Sequence, residues 1–200
     1  MRKVVLASSN KGKLVELQAI LKQKDVQLVP QSKFSVTDAD ETGLSFIENA
    51  LIKARHACIA TGLPAIADDS GIEVDALKGE PGIYSARYAG SHGDAADKQN
   101  NAKLLHELQG ISETERTARF QCVIAYMRHA KDPMPLICQG TWEGRILFSE
   151  EGENGFGYDP LFYVPSHGCA SAKLDPATKN AISHRGQALK QLLECWNSRH

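Results

Sequence analysis

Three residues in, the chain carries Val4-Val5-Leu6-Ala7, an unbroken apolar run that stops on Ser8-Ser9-Asn10 and gives way to Leu14, Leu17 and Leu21. A short apolar run bounded this way reads as a buried strand. The polar triplet suits a helix N-cap, and the leucines recur at helical spacing as far as about Lys22. The same grammar continues down the chain. Ser45-x-x-Glu48 forms a capping box for a second helix with an apolar stripe of Ile47, Leu51, Ala54 and Cys58, stopped by Gly62 and Pro64. Ala65-Ile66-Ala67 reads as a short strand ending on Asp68-Asp69-Ser70-Gly71, and residues 72–77 as another. Residues 79–90 form a glycine-punctuated loop and residues 94–108 a helix. Residues 119–127 and 136–147 read as two long strands, paired antiparallel because the connection across Lys131-Asp132-Pro133 is short. A Gly-rich loop over 150–159, a strand over 161–164 and a helix over 183–196 with Ala188, Leu189, Leu192 and Leu193 on one side complete the reading. Strands alternating with helices early and an antiparallel pair later imply an α/β fold with a mixed sheet.

Composition narrows the function classes. The net charge of −1 offers no bulk basic field for nucleic acid, and no apolar run approaches the roughly 20 residues that span a bilayer. The N-terminus turns polar too soon for a signal peptide. The five cysteines are scattered with no C-x-x-C pair, which reads as reduced thiols in a cytoplasmic protein rather than disulfides or zinc. Charge is uneven. Residues 1–33 hold seven Lys or Arg against Glu16 and Asp25, while residues 38–48 hold four acidic residues and no basic one. One segment suits phosphate and the other a cation, unless both are simply solvated faces.

Four segments carry chemistry. Ser8-Ser9-Asn10-Lys11-Gly12-Lys13 lies between a strand and a helix, where backbone N–H groups and the helix dipole favour an anion. It is not a P-loop, since Ala7 and Leu14 stand where that motif needs Gly and Ser/Thr; an ordinary capped helix with surface lysines fits it equally well. Asp68-Asp69 ends a strand, and adjacent carboxylates are costly without a cation or donors, so the pair suits magnesium, with Asp40, Glu41 and Glu48 as further ligands. A turn is the alternative. In Gly155-Phe156-Gly157-Tyr158-Asp159, Phe156 suits stacking on a base and Asp159 an N–H of sugar or base, against a plain loop with a core Phe. Lys179, His184 and Arg185 crowd a helix start, where cations oppose the dipole unless an anion or acceptor-rich ligand binds.

Taken together and in this order, these segments resemble the inosine triphosphate pyrophosphatase family, in particular its bacterial dITP/XTP branch. The matching stretches are residues 5–13, Glu41 to Ala50, Ala67 to Gly71, Pro81 to Tyr88, Gly155 to Pro160 and Ser183 to Gly186. Family members often carry Thr-Gly-Asn or Thr-x-Asn where this chain has Ser8-Ser9-Asn10. The resemblance implies one domain over residues 1–200, with an elongated mixed β-sheet, flanking helices and two lobes around a nucleotide cleft. It also implies a cytoplasmic homodimer that cleaves a nonstandard purine nucleoside triphosphate (ITP, dITP or XTP) to monophosphate plus pyrophosphate. Carried onto this sequence, Ser8, Ser9, Asn10, Lys11, Gly12 and Lys13 hold the triphosphate. Asp69 is magnesium ligand and proton acceptor, with Glu41 and Asp68 as further metal contacts and Ser70 beside the substrate. Phe156, Gly157, Tyr158, Asp159, Lys179, His184 and Arg185 line the nucleotide site. The rival readings are a Maf-like pyrophosphatase for modified pyrimidine nucleotides and a non-catalytic nucleotide-binding module.

Overall fold

The computed structural model describes residues 2–8, 11–21, 26–91 and 96–196. Seven strands form one mixed sheet in the order β2-β1-β3-β4-β5-β6-β7. They are β1 (Arg2–Leu6), β2 (Val26–Pro30), β3 (Ala65–Val74), β4 (Thr117–Met127), β5 (Leu136–Ile146), β6 (Phe162–Val164) and β7 (Cys169–Ala170). β1 runs parallel to β2 and β3, whereas β5–β6 and β6–β7 are antiparallel. The facing pairs Arg119–Glu143 and Gln121–Thr141 step in opposite directions along β4 and β5, so that pair is antiparallel too, as its short connection requires. The helices are α1 (Lys11–Leu21), α2 (Phe46–Thr61), α3 (Ala96–Glu107), α4 (Pro176–Ile182) and α5 (His184–Trp196). The architecture is therefore the α/β fold with a mixed sheet that the element pattern implies.

The chain divides into two compact units. The first comprises Met1–Asp69, Cys122–Gly140 and Arg185–His200, the second Ser70–Gln121 and Thr141–His184. In the first unit both faces of the sheet are covered, and strand parity decides which side chain meets which helix. Val4, Leu6, Ile66, Cys122, Ile124 and Tyr126 pack with Leu17 of α1 and with Ala188, Leu189, Leu192 and Trp196 of α5. The alternate residues Val5, Ala65, Ala67, Val123, Ala125 and Met127 pack with Ala50, Ala54, Ala57 and Cys58 of α2. Burial on both faces is what an unbroken apolar strand needs. In the second unit, Ile72, Val74, Phe120, Trp142 and Phe162 form a core with Leu104 and Leu108 from α3 and its end. The intervening residues of those strands carry a polar ladder: Gln121 donates to Glu73 and Thr141 to Gln121, while Arg119 spans Asp75 and Glu143.

Several local expectations change. Asp68-Asp69-Ser70-Gly71 is not a turn; β3 runs through it as one ten-residue strand, because each carboxylate finds a cation on its own side and nothing forces a bend. The buried stripe of α2 is Asn49, Ala50, Ala54, Ala57 and Cys58, with Ile47 37% exposed. Three of those five positions are alanines. The remaining features of α2 hold: Ser45 caps it by accepting from Glu48 N–H, and Gly62 closes it. The sequence reading does not contain β2, β7, α4 or the short 3-10 turns, although α4 is announced by its Asp175 cap and Pro176 at the first helical position. The expected helix starts at residues 9–10 and 94–95 lie outside the described residues. Trp142 and Trp196 are both core residues. Among the described residues no helix is long and apolar enough to cross a membrane.

Candidate active site

Asp68 and Asp69 are consecutive in β3, so their side chains leave the strand on opposite faces. Asp69 Oδ1 receives Lys53 Nζ of α2 at 2.7 Å, and the same ammonium reaches Glu41 Oε1 at 3.0 Å. On the other face, Lys13 Nζ of α1 lies 3.0 Å from Asp68 Oδ1. Asp68 Oδ2 accepts from Arg185 Nε and Nη2 of α5, both at 3.2 Å, and from Cys122 Sγ at 3.9 Å. Arg185 Nη1 donates to Glu16, three residues after Lys13 on α1. The loop that carries Glu41 is itself tied to α2. Gly43 N–H donates to Asn49 Oδ1 and Leu44 N–H to Glu48 Oε2, each at 2.9 Å. A Cβ on Gly43 would collide with Glu48 and Asn49, so this turn needs glycine.

The electrostatics of the two carboxylates diverge. Burial raises the Asp69 pKa above its ordinary 3.8, and neighbouring Lys53 only partly offsets this. Burial also works against the charged form of Asp68, but Lys13, Arg185 and Lys53 together outweigh it and hold this carboxyl well below the usual range. Burial opposes the Lys53 ammonium as well, yet Asp69, Asp68 and Glu41 lift its pKa above 10.5. Burial and the adjacent Asp68 push the Cys122 thiol up to about 12, so it stays protonated and donates. Among the described residues, Glu16, Glu41, Asp68 and Asp69 thus pair with Lys13, Lys53 and Arg185. Among the described residues Asp69 Oδ2 is buried with no hydrogen-bond partner. A bare carboxylate oxygen is costly to bury, and a cation would satisfy it.

The second unit holds the aromatic loop. Asp159 is 2% exposed and organises it. Its Oδ2 accepts from Phe156 N–H at 2.9 Å and from Lys179 Nζ at 2.6 Å, while Oδ1 accepts from Ser171 Oγ at 2.8 Å. Gly155 has φ +81°, and a Cβ there would strike the Asp159 carboxylate, so a glycine is needed on both grounds. Lys179 Nζ lies 5.1 Å from the centre of the Phe156 ring. The His184 ring stacks on Phe120 at 4.7 Å with 11° between the planes.

Several residues singled out from sequence are therefore placed differently from expectation. Ser9 and Asn10 lie outside the described residues; Ser8 precedes them, and Lys11 and Gly12 open α1. Lys13 is engaged with Asp68, and Ser70 continues β3 beyond Asp69. Asp68 is not positioned to share a cation with Asp69, because strand parity separates them and Lys13 and Arg185 occupy its oxygens. Arg185 is committed to Asp68 and Glu16 instead of standing out at the helix start. Tyr158 is a core residue whose hydroxyl donates to the Ser85 carbonyl at 2.8 Å, and Asp159 accepts from Phe156 within the loop and from Ser171 and Lys179 beyond it. Two participants were missed, Lys53 and Glu16. Lys53 had a legible signal: it falls three residues after Ala50 and four before Ala57, on the buried stripe of α2.

Known proteins resemble this chain along nearly its whole length. The model of the Ham1 family matches residues 4–195. A dITP/XTP pyrophosphatase of Vibrio parahaemolyticus is 59% identical over 192 residues, covering 96% of this chain and 95% of the relative. A Ham1 protein structure from Coxiella burnetii superposes with a TM-score of 0.91 at 52% identity, covering 99% of this chain and 100% of the other. A nucleoside-triphosphatase / dITP/XTP pyrophosphatase structure from Mycobacterium abscessus gives a TM-score of 0.75 at 43% identity, covering 96% and 98%. With a family match over nearly its whole length and relatives this similar, the chain belongs to the Ham1 family.

Proposed function

We infer that the chain hydrolyses nonstandard purine nucleoside triphosphates, ITP, dITP and XTP, to the monophosphate and pyrophosphate. The observation that carries this reading is Asp69: a buried carboxylate of raised pKa, hydrogen-bonded through one oxygen to Lys53, with its other oxygen unpartnered among the described residues. The dITP/XTP pyrophosphatase names of the relatives support the substrate class.

In this reading water attacks the α-phosphorus, the new P–O bond forms as the bond to the bridging oxygen breaks, and pyrophosphate leaves. Asp69 takes the water's proton; its raised pKa makes it a better base than a free aspartate. Lys53 holds Asp69 and Glu41 in place. Lys13, with Ser8 to Gly12, meets the phosphate chain, and Ser70 lies beside it. Magnesium suits the donor set: Asp69 Oδ2 is unpartnered among the described residues, Glu41 shares Lys53 with Asp69, and magnesium needs only one or two carboxylates alongside phosphate oxygens and water. Asp69 and Glu41 would hold it. When bound, it supplies positive charge against the triphosphate and the departing pyrophosphate. Asp68 has a different part in this scheme, anchoring Lys13 and Arg185.

Phe156 and Gly157 receive the base, framed by Asp159 and Lys179. His184 is the buried donor for the carbonyl at position 6 of the purine. Adenine, with an amine there, leaves that donor unpaired, which can discriminate by about 10⁴. The reading extends to a homodimer in the cytoplasm, with sedimentation at two concentrations as the check on assembly. The deciding experiment is a panel of ITP, XTP, GTP and ATP with and without magnesium, with products identified. Magnesium-dependent pyrophosphate release, with ITP and XTP far ahead of ATP, is expected. Orthophosphate as product, or equal kcat/KM for ATP and ITP, would overturn it.

A further inference from the structure

Helix α3 carries Asp97 and Asn101 one turn apart, on a single helix face. Both reach the same residue of the aromatic loop. Asp97 Oδ2 accepts from the Gly157 N–H at 2.7 Å, and Asn101 Nδ2 donates to the Gly157 carbonyl at 3.2 Å. The second Asn101 Nδ2 proton goes to Glu150 Oε1 at 2.7 Å. Both partners of that nitrogen are acceptors, so the hydrogen-bond pattern alone fixes which way the amide points. Asn101 is 3% exposed, so it makes these bonds away from bulk water.

The consequence is a fully tethered backbone around Phe156. Its N–H donates to Asp159 Oδ2, and its carbonyl accepts from Asp159 N–H at 3.3 Å. Gly157, at φ +62°, is held through both its N–H and its carbonyl by α3. Asp159 thus fixes the loop from within, and α3 fixes it from outside. Without α3, Gly157 would be free to rotate at a φ that glycine leaves readily, and the ring of Phe156 would move with it.

We propose that Asp97 and Asn101 are positioning residues for base recognition: by gripping Gly157 they hold the Phe156 ring where the purine stacks. The inference rests on the reading that Phe156 receives the base. Neither residue needs to touch the substrate. Their loss leaves Asp69 and its partners intact, so it weakens binding and spares the chemical step. A single hydrogen bond in such a frame corresponds to roughly a three- to tenfold rise in KM.

The test is steady-state hydrolysis of ITP by the full chain and four variants. Asp97→Ala and Asn101→Ala are expected to raise KM about three- to tenfold and to change kcat by less than about twofold. Asp97→Asn retains an acceptor oxygen and is expected to recover most of the KM. Asp97 is solvent-exposed, so its variants test the inference even if Asn101→Ala folds poorly. Phe156→Ala reports on the underlying reading and is expected to raise KM at least as much. If Phe156→Ala leaves KM unchanged, the base site is misplaced and the inference goes with it. If Phe156→Ala raises KM while Asp97→Ala does not, the reading stands and the inference is overturned. Asp97→Asn as impaired as Asp97→Ala, or a fall in kcat alone, also overturns it.

Discussion

The two units treat the same strands in opposite ways. In the first, the sheet is covered on both faces, and a carboxylate leaving either face of β3 enters a buried, helix-lined space. There Asp69 is pushed up and Asp68 is held down, one residue apart. In the second unit one sheet face is packed and the other carries a polar ladder, and the candidate site is a loop held by hydrogen bonds. The difference separates two needs. Proton transfer needs perturbed charge, which burial on both faces creates. Recognition needs fixed shape, which a tethered loop supplies without unusual titration.

The sharpest way to break this contrast is Asp69→Asn. It removes the proposed base but keeps an acceptor for Lys53, so kcat should fall by about 10²- to 10⁴-fold while KM stays within a fewfold. Equal losses in KM would mean that the first unit serves binding as well. The pH profile gives the same contrast a sign. In the proposed role Asp69 acts deprotonated, and its pKa is raised above 3.8, so kcat/KM should fall with acidity at a pH higher than a free aspartate would give. Lys53 lowers that pKa through its charge and hydrogen bond. Lys53→Met should therefore move the acid limb to higher pH. A shift to lower pH, or none, would sink the assignment of Asp69 as base.

Next in size is Asp68→Ala, read by chemical denaturation. It removes a buried partner shared by Lys13 and Arg185, and breaking a buried pair costs about 3–5 kcal/mol. The pH dependence of stability follows from the depressed pKa. The unfolded aspartate binds protons at a higher pH than the folded one, so the contribution of Asp68 is present above the unfolded value. It is lost as pH falls through the folded one. The variant should lack that acid-side loss.

Much of this was legible in the sequence, unevenly between the units. The apolar run of β1 announced a strand buried on both faces, and the capping box of α2 announced its start to the residue. Asp68 and Asp69 pointed to chemistry, but adjacency suggested a shared cation, whereas the strand sends them apart. Whether the backbone stays extended through Asp-Asp-Ser-Gly is decided by cations from α1, α2 and α5, distant in the chain. Lys53 was overlooked because a lysine on a helix ordinarily faces water; only the alanines around it mark its face as buried. At the start of α5, Arg185 did signal a conflict with the helix dipole. In the structure Arg185 meets Glu16 and Asp68 there. Phe156 stood out by its flanking glycines, but Asp97 and Asn101, more than 50 residues earlier, bore no local mark of reaching Gly157.

The smallest expected effect lies on the polar ladder of the second unit, where the comparison is most exposed to error. Arg119 donates to Asp75 at 2.8 Å and to Glu143 at 3.0 Å, which on paper is as dense as the network around Asp68. Yet Glu143 is 66% exposed in its side chain and Asp75 45%, so water and salt screen both pairs. Arg119→Ala should therefore cost no more than about 1 kcal/mol in denaturant unfolding. The cost should shrink in molar salt, and ITP hydrolysis should be untouched. A loss rivalling that of Asp68→Ala would show that number of contacts, and not burial between two covered faces, sets the worth of a charge in this fold.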